Sequence, residues 1–241
     1  MAAYDLLAPY YDAATGDAAT ETAFIESVIK DAHPNPVALL EVACGTGGII
    51  NSLAGRYRVA GLDISPGMLA VARDKLPEGT PLYLADMSRF ELEARFDAVF
   101  CVYYGVNHLL SFSAWKSFFD CAHRHLNAGG VLAFDIFTMD DLEVMAGSPE
   151  TVQQFGENYL RIRVRASGEA TFDWDIEAAV QRNGRRELLT EVIRTAAFPP
   201  GEIRDALSER FTGIKIIETD GGVSETGNRI WFACTKPHSG V

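Results

Sequence analysis

The sequence reads as a doubly wound α/β protein with a mostly parallel sheet and a small antiparallel β insertion. Three features say so. Apolar runs of strand length alternate with helical patterns as far as Phe137. Those runs are apolar on both faces, as strands covered by helices on each side must be. Beyond Phe137 the rhythm changes to period-2 alternation, which suits antiparallel strands with one buried face.

Taken in order, strands are expected at "VALLEVA" (37–43), "RVAGLD" (58–63), "PLYLAD" (81–86), "FDAVFCV" (96–102) and "GVLAFDIF" (130–137). Helical patterns precede them at 4–13 and 20–32 and separate them at 46–55, 66–76 and 112–126. Ser65-Pro66 opens the second of these separators and Gly129-Gly130 follows the third. The stretch 88–95 is short for a full helix. "NYLRIRVRA", "TFDWDIEAAVQ" and "RELLTEVIRTAAF" then read as three antiparallel strands inside an insertion spanning 157–198, with Asn183-Gly184 as a hairpin turn. Pro199-Pro200 starts a helix near 200–209, and strands at 213–219 and 229–235 close the chain. All 241 residues are expected to form one domain.

About half the residues are apolar and 22% are charged, enough for a core of useful size. No apolar run approaches the roughly 20 residues of a membrane span, and "MAAYDLLAPYYD" lacks the basic start of a signal peptide. A cytoplasmic protein is expected. Cys44, Cys101, Cys121 and Cys234 lie far apart, which suits neither a zinc site nor a disulfide framework. Cys121, His123 and His125 tempt as ligands, but residues two apart on a helix point in different directions, so no metal is expected. With 21 basic and 33 acidic residues the net charge is −12, which disfavours nucleic acid and suits a cationic small-molecule ligand. Monomer and homodimer both remain open.

The turn after the first strand, "EVACGTGG", raises the question of its ligand. A dinucleotide fingerprint needs GxGxxG, and Gly45 and Gly47 are followed by Ile50 where the third glycine belongs. What remains is a tight turn at which Gly45 and Gly47 let a ligand approach the backbone. Glu41 stands just ahead of it. Asp63 ends the second strand, expected outside the core and placed for a ribose diol. Asp86 ends the third, within reach of an adenine amino group. Three carboxylates repel a phosphate and suit a nucleoside that carries positive charge.

"EVACGTGG", "GLDISPGML", "LADMSRF", "FDAVFCVYYGVNHL" and "LNAGGVLAFDIF" together resemble, in order and spacing, the motifs of class I S-adenosylmethionine-dependent methyltransferases. The resemblance covers about residues 37–137 and implies a seven-stranded Rossmann-like sheet with S-adenosylmethionine as cofactor. "YDLLAPYYD" is similar to the opening of a subgroup containing sugar-amine and glycine-type N-methyltransferases, which often insert antiparallel strands after the fifth strand. The resemblance further implies that Glu41, Ala43 and Gly45 hold the methionyl end. It gives Asp63 and Ile64 the ribose, Met68 a place near the adenine, and Asp86 and Met87 the base. Tyr11 closes over the methionyl part.

Tyr103, Tyr104, Asn107 and His108 follow the fourth strand at the mouth of such a site. Tyr103 is assigned to the cofactor and Tyr104 and His108 to the acceptor; His108 is either a base or orienting group, or a packed structural histidine. In the insertion, Arg161, Arg163 and Arg165 face Asp173, Asp175 and Glu177 as cross-strand ion pairs. The opposite face carries Leu160, Ile162, Val164, Phe172, Trp174, Ile176 and Ile193, a candidate acceptor wall. Glu191 shares its parity with Ile193 and is expected as a catalytic carboxylate inside that apolar wall, provided the register holds. The function expected is methyl transfer to a small amine or hydroxyl by in-line displacement. The alternatives are a nicotinamide oxidoreductase and a non-catalytic binding module, for which a plugged acceptor cavity would be the sign.

Overall fold

The computed structural model describes residues 4–182, 184–219 and 229–238. Asn183 of the expected hairpin turn, and the link 220–228 between the last two strands, lie outside them. The main sheet is built from β1 (Ala38–Val42), β2 (Arg58–Asp63), β3 (Leu82–Leu84), β4 (Phe96–Cys101), β5 (Leu126–Ile136), β10 (Thr212–Thr219) and β11 (Arg229–Thr235). Their order is β10-β11-β5-β4-β1-β2-β3. The neighbours from β5 to β3 pair in parallel, whereas β11 runs antiparallel to β5 and to β10. The order reverses between β4 and β1, and a crevice opens there at the strands' carboxyl ends.

Helices cover both faces, which is why every residue of β1 is buried. One layer packs Trp115 and Phe118 of α5 (Phe112–His125) and Ile203 and Leu207 of α7 (Pro200–Ser208) onto the sheet. The other packs Ile25 and Ile29 of α2 (Ala19–Ala32), Ile49 of α3 (Gly48–Leu53) and Leu69 of α4 (Pro66–Lys75). At the start of α4 the Ser65 hydroxyl accepts the Met68 N–H at 3.0 Å and Pro66 occupies the first turn, as the sequence announces. His125 is buried and structural: one ring nitrogen donates to the Cys121 carbonyl at 2.7 Å and the other accepts the Leu92 N–H at 2.8 Å. That bond ties down the helix-free stretch 88–95.

Several boundaries differ from expectation. The N-terminal helix is broken: a 3-10 turn at Ala8–Tyr10 around Pro9 leads into the short α1 (Tyr11–Thr15). β5 begins at Leu126, ahead of Gly130, because Gly129 at φ 77° and a register shift against β4 allow the chain to enter the sheet early. Helix α6 (Met139–Gly147) was not anticipated, although Thr138 and Asp141 form a reciprocal capping box that is readable as T-x-x-D.

The insertion holds four strands, not three: β6 (Thr151–Phe155), β7 (Asn158–Ala166), β8 (Thr171–Arg182) and β9 (Arg185–Ala196), in that order across one antiparallel sheet. β6 escapes notice because only Phe155 of "TVQQF" is buried, so no alternation is visible. The register sets Arg161 opposite Glu177, Arg163 opposite Asp175 and Arg165 opposite Asp173, with Arg165 donating to Asp175 at 2.7 Å. The inner face packs Ile176, Ala178 and Ile193 against Leu7 and Ala14 of the N-terminal segment. Val164 and Phe172 pack against Phe137 and Leu142.

Candidate active site

The turn after β1 is built from left-handed residues: Ala43 at φ 55°, Gly45 at 53° and Gly47 at 75°. Only glycine adopts this region freely, so Ala43 carries strain that its surroundings must hold. Two bonds hold it. The Cys44 N–H donates to the Leu62 carbonyl at 3.0 Å, and the Gly45 N–H to Asp63 Oδ2 at 2.8 Å. Asp63 Oδ1 also accepts the Ser65 N–H at 2.8 Å. Asp63 is therefore buried and builds the turn, contrary to the expectation that it lies outside the core.

A cavity of about 650 Å³ opens above this turn. Glu41, Ala43, Gly45, Asp63 and Ile64 line it from the first two strands, and Met68, Asp86 and Met87 from the next elements. Tyr11, Tyr103 and His108 complete the set of expected residues found in its wall. Three expected residues are not part of that lining. Gly47 is the N-cap of α3, with Leu76 and Ala72 behind it. Tyr104 stacks on Phe137, ring centroids 3.6 Å apart. Glu191 accepts the Tyr4 N–H at 2.8 Å. Of the expected acceptor wall, Ile193 alone reaches this cavity; Trp174 does not.

Burial dominates the electrostatics. The Glu41 carboxyl is pushed well above its usual range, and its Oε2 has no hydrogen-bond partner among the described residues. Buried carboxyl oxygens are normally hydrogen-bonded, so this one stands ready for a donor that enters the cavity. Desolvation also raises Asp63, opposed by its backbone bonds. Tyr11 is pushed up to about 12 by burial and by Asp63, so its ring stays a neutral phenol. Asp86 accepts both the N–H and the hydroxyl of Ser88 at 2.8 Å.

Beyond β4, Tyr103 and Tyr104 both stand at φ 61°, unusual for bulky side chains. Buried Arg229 holds them. Its guanidinium lies 5.6 Å from the Tyr103 ring, 5.0 Å from Tyr104 and 4.6 Å from Trp231. It donates to Asp135 at 2.8 Å and approaches Glu21 at 3.3 Å, while Asp135 accepts the Tyr104 N–H at 3.0 Å. His108 follows in a 3-10 turn. Burial lowers its pKa, a bond to the Arg194 carbonyl opposes that, and its Nε2 lies 3.4 Å from the Tyr4 hydroxyl.

Sequence reasoning missed most of the N-terminal contribution. Tyr4 lines the cavity at φ 68°, edge-on to both Tyr11 and His108. Asp5 accepts the Ser65 hydroxyl at 2.5 Å and the Gly67 N–H at 3.1 Å; Asp12 accepts from Thr46 and Lys75 at 2.5 Å each. These two carboxylates latch residues 4–15 across the crevice. The only local signal was the tyrosine and aspartate content of "YDLLAPYYD".

Residues 39–130 match the family described as methyltransferase domain. Residues 39–130 thus carry a methyltransferase domain, and with the strand order and the left-handed turn the chain is similar to class I S-adenosylmethionine-dependent methyltransferases. Neither the oxidoreductase nor the inert-module alternative finds support. Among its relatives, a dTDP-3-amino-3,4,6-trideoxy-alpha-D-glucopyranose N,N-dimethyltransferase of Streptomyces venezuelae is 27% identical over 93% of each chain. A dTDP-3-amino-3,6-dideoxy-alpha-D-glucopyranose N,N-dimethyltransferase of Streptomyces fradiae is 33% identical, over 48% of this chain and only 45% of its own length. The solved structure of an amino pentose methyltransferase from Micromonospora echinaspora with bound S-adenosylmethionine superposes at TM-score 0.77, covering 96% of both chains at 25% identity.

Proposed function

We propose that this protein methylates the amino nitrogen of a small, sugar-like acceptor. The observation that carries the reading is one cavity in which Glu41, Asp63 and Asp86 meet Tyr4, His108 and Ile193. The carboxylates suit the cofactor; the neutral groups suit the acceptor. S-adenosylmethionine supplies an electrophilic methyl group on a sulfonium, whose sulfur leaves neutral. Glu41 would take its ammonium, with Ala43 and Gly45 giving close backbone approach. Asp63 and Ile64 would serve the ribose, Asp86 and Met87 the base with Met68 beside them, and Tyr11 and Tyr103 the cover.

An amine must arrive unprotonated to attack. Desolvation beside Ile193 and Leu109 favours its neutral form, and His108, neutral because burial lowers its pKa, can accept a proton at Nε2. Tyr4, raised by burial above the usual phenol range, remains a hydrogen-bond donor. Lys75 and Arg194 line the cavity but are already paired with Asp12 and Asp173, so neither is poised to stabilise an alkoxide. Glu191 would act by holding Tyr4, and Tyr104 by stacking on Phe137; neither lines the cavity. The four-stranded sheet would cover the acceptor side through Val192, Ile193 and Arg194. The amino-sugar relatives support the substrate class. Residence in the cytoplasm, as monomer or homodimer and without nucleic acid, belongs to the same reading, supported by the acidic charge of −12 and four buried thiols.

An adenosylhomocysteine-release assay over amino sugars, the matching hydroxyl sugars and carboxylates tests the proposal. Turnover of the amino sugars, with mono- and dimethylated products by mass spectrometry, is expected. Turnover confined to hydroxyls or carboxylates would reject it.

A further inference from the structure

A second cavity of about 170 Å³ lies between the N-terminal segment and the inner face of the four-stranded sheet. Leu160, Ile162, Trp174, Ile176 and Ala178 form its sheet side. The Trp174 indole N–H is engaged with Thr195 at 2.9 Å, so this wall presents hydrocarbon and ring faces. Tyr4, Tyr11 and Thr15 line both this cavity and the large one. These three residues are thus the partition between the methyl-transfer site and an apolar chamber.

An apolar cavity of about 150 Å³ accepts a molecule as large as benzene. The partition is also set by groups of the active site. Tyr4 is held at φ 68° by Glu191 on its N–H and faces His108 with its hydroxyl. Bulky residues occupy that region only where surroundings impose it, commonly at ligand sites.

We propose that this chamber is a subsite for a compact apolar substituent of the acceptor, an aryl or cyclic alkyl group of about benzene size, reached past Tyr4 and Tyr11. It rests on the methyl-transfer reading above and adds a substrate feature to it. An acceptor whose nitrogen lies at His108 projects that substituent past Tyr4 into the chamber. Acceptors without it lose the burial of apolar area there.

The probe is toluene, followed by saturation-transfer NMR on the full chain with S-adenosylmethionine present. Two chamber-filling variants are compared, Ala178→Leu and, at a half-buried position that tolerates bulk better, Leu160→Phe; thermal unfolding identifies which are folded. Toluene should bind the unmodified protein and lose roughly tenfold in affinity in a folded filled variant. S-adenosylmethionine affinity should change by about twofold or less, since Ala178 and Leu160 line only the small cavity. A parallel assay compares benzylamine with methylamine, and the filled variants should lose any preference for benzylamine. No toluene binding, or equal binding to a filled variant, overturns the subsite. Toluene binding that filling abolishes, in a protein that methylates no amine or amino sugar, overturns the acceptor reading instead.

Discussion

Glu41 shows how one residue couples ligand binding to a proton. Burial raises its carboxyl well above the usual range, so the free protein keeps a proton there to higher pH than an exposed carboxyl would. The sign follows: folding is favoured by this group below its unfolded pKa, and that advantage is lost as pH rises through the raised folded pKa. A ligand ammonium favours the ionised form and pulls the pKa back down. S-adenosylmethionine binding near neutral pH should therefore release protons, seen as calorimetric heats that differ between buffers of different ionisation enthalpy. Glu41→Gln should remove the difference; a buffer-independent heat in the unmodified protein would deny Glu41 this role. Tyr11 makes a second residue-scale case. A ring face near a cation is attractive by roughly 0.5–2 kcal/mol, and only the sulfonium form of the cofactor is cationic. Tyr11→Leu should weaken S-adenosylmethionine more than adenosylhomocysteine. Equal weakening would leave Tyr11 a lid without electrostatic selectivity.

Among elements, β11 does more than complete the sheet. Its first residue, Arg229, joins Asp135 on β5, Glu21 on α2 and the tyrosine pair after β4. Removing the cation leaves Asp135 buried and uncompensated. Such a loss costs about 3–5 kcal/mol. Arg229→Met should lower stability by that order in urea denaturation and weaken S-adenosylmethionine binding through Tyr103. Adding Asp135→Asn should recover part of the stability, because no buried charge is then left alone. If the double variant is no more stable than the single one, the buried charge is not what the single variant loses. The four-stranded sheet is likewise one unit. Its edge strand β6 pairs Thr151 with Ile162 and Phe155 with Asn158, so a boundary drawn at 157 would strand it.

On the scale of the whole molecule, a ligand that binds the folded state alone adds stability by mass action. At a hundredfold excess over Kd that is about 2.7 kcal/mol. For a chain of this size each kcal/mol raises Tm by roughly 2–4 °C, so saturating S-adenosylmethionine should raise it by roughly 5–10 °C. NADH should raise it not at all. A shift with NADH and none with S-adenosylmethionine would contradict the class. The latches of Asp5 and Asp12 bind the N-terminal segment to the same face as the ligand, so this stabilisation should extend to residues 4–15 and appear there as slowed amide exchange.

The sequence by itself determined the alternation of strands and helices, the glycine turn, the Ser65 cap and the three carboxylates near the strands' carboxyl ends. Each depends on residues a few positions apart, where periodicity, backbone freedom and capping chemistry act. It also determined which insertion residues share a face, because a strand's side chains alternate whatever packs on them. Tertiary structure alone decided which neighbour each face meets. Tyr4 reaches Glu191 across 187 positions and His108 across 104, and no local pattern marks either contact. Tyr104 turns to Phe137 while adjacent Tyr103 faces the cavity, a choice made by Arg229 and Asp135 from distant strands. Glu191 has the parity of Ile193, yet the N-terminal segment claims its carboxylate. Short-range chemistry is written into consecutive residues. The partner of a buried polar group is settled only when the chain closes on itself and every donor must find an acceptor.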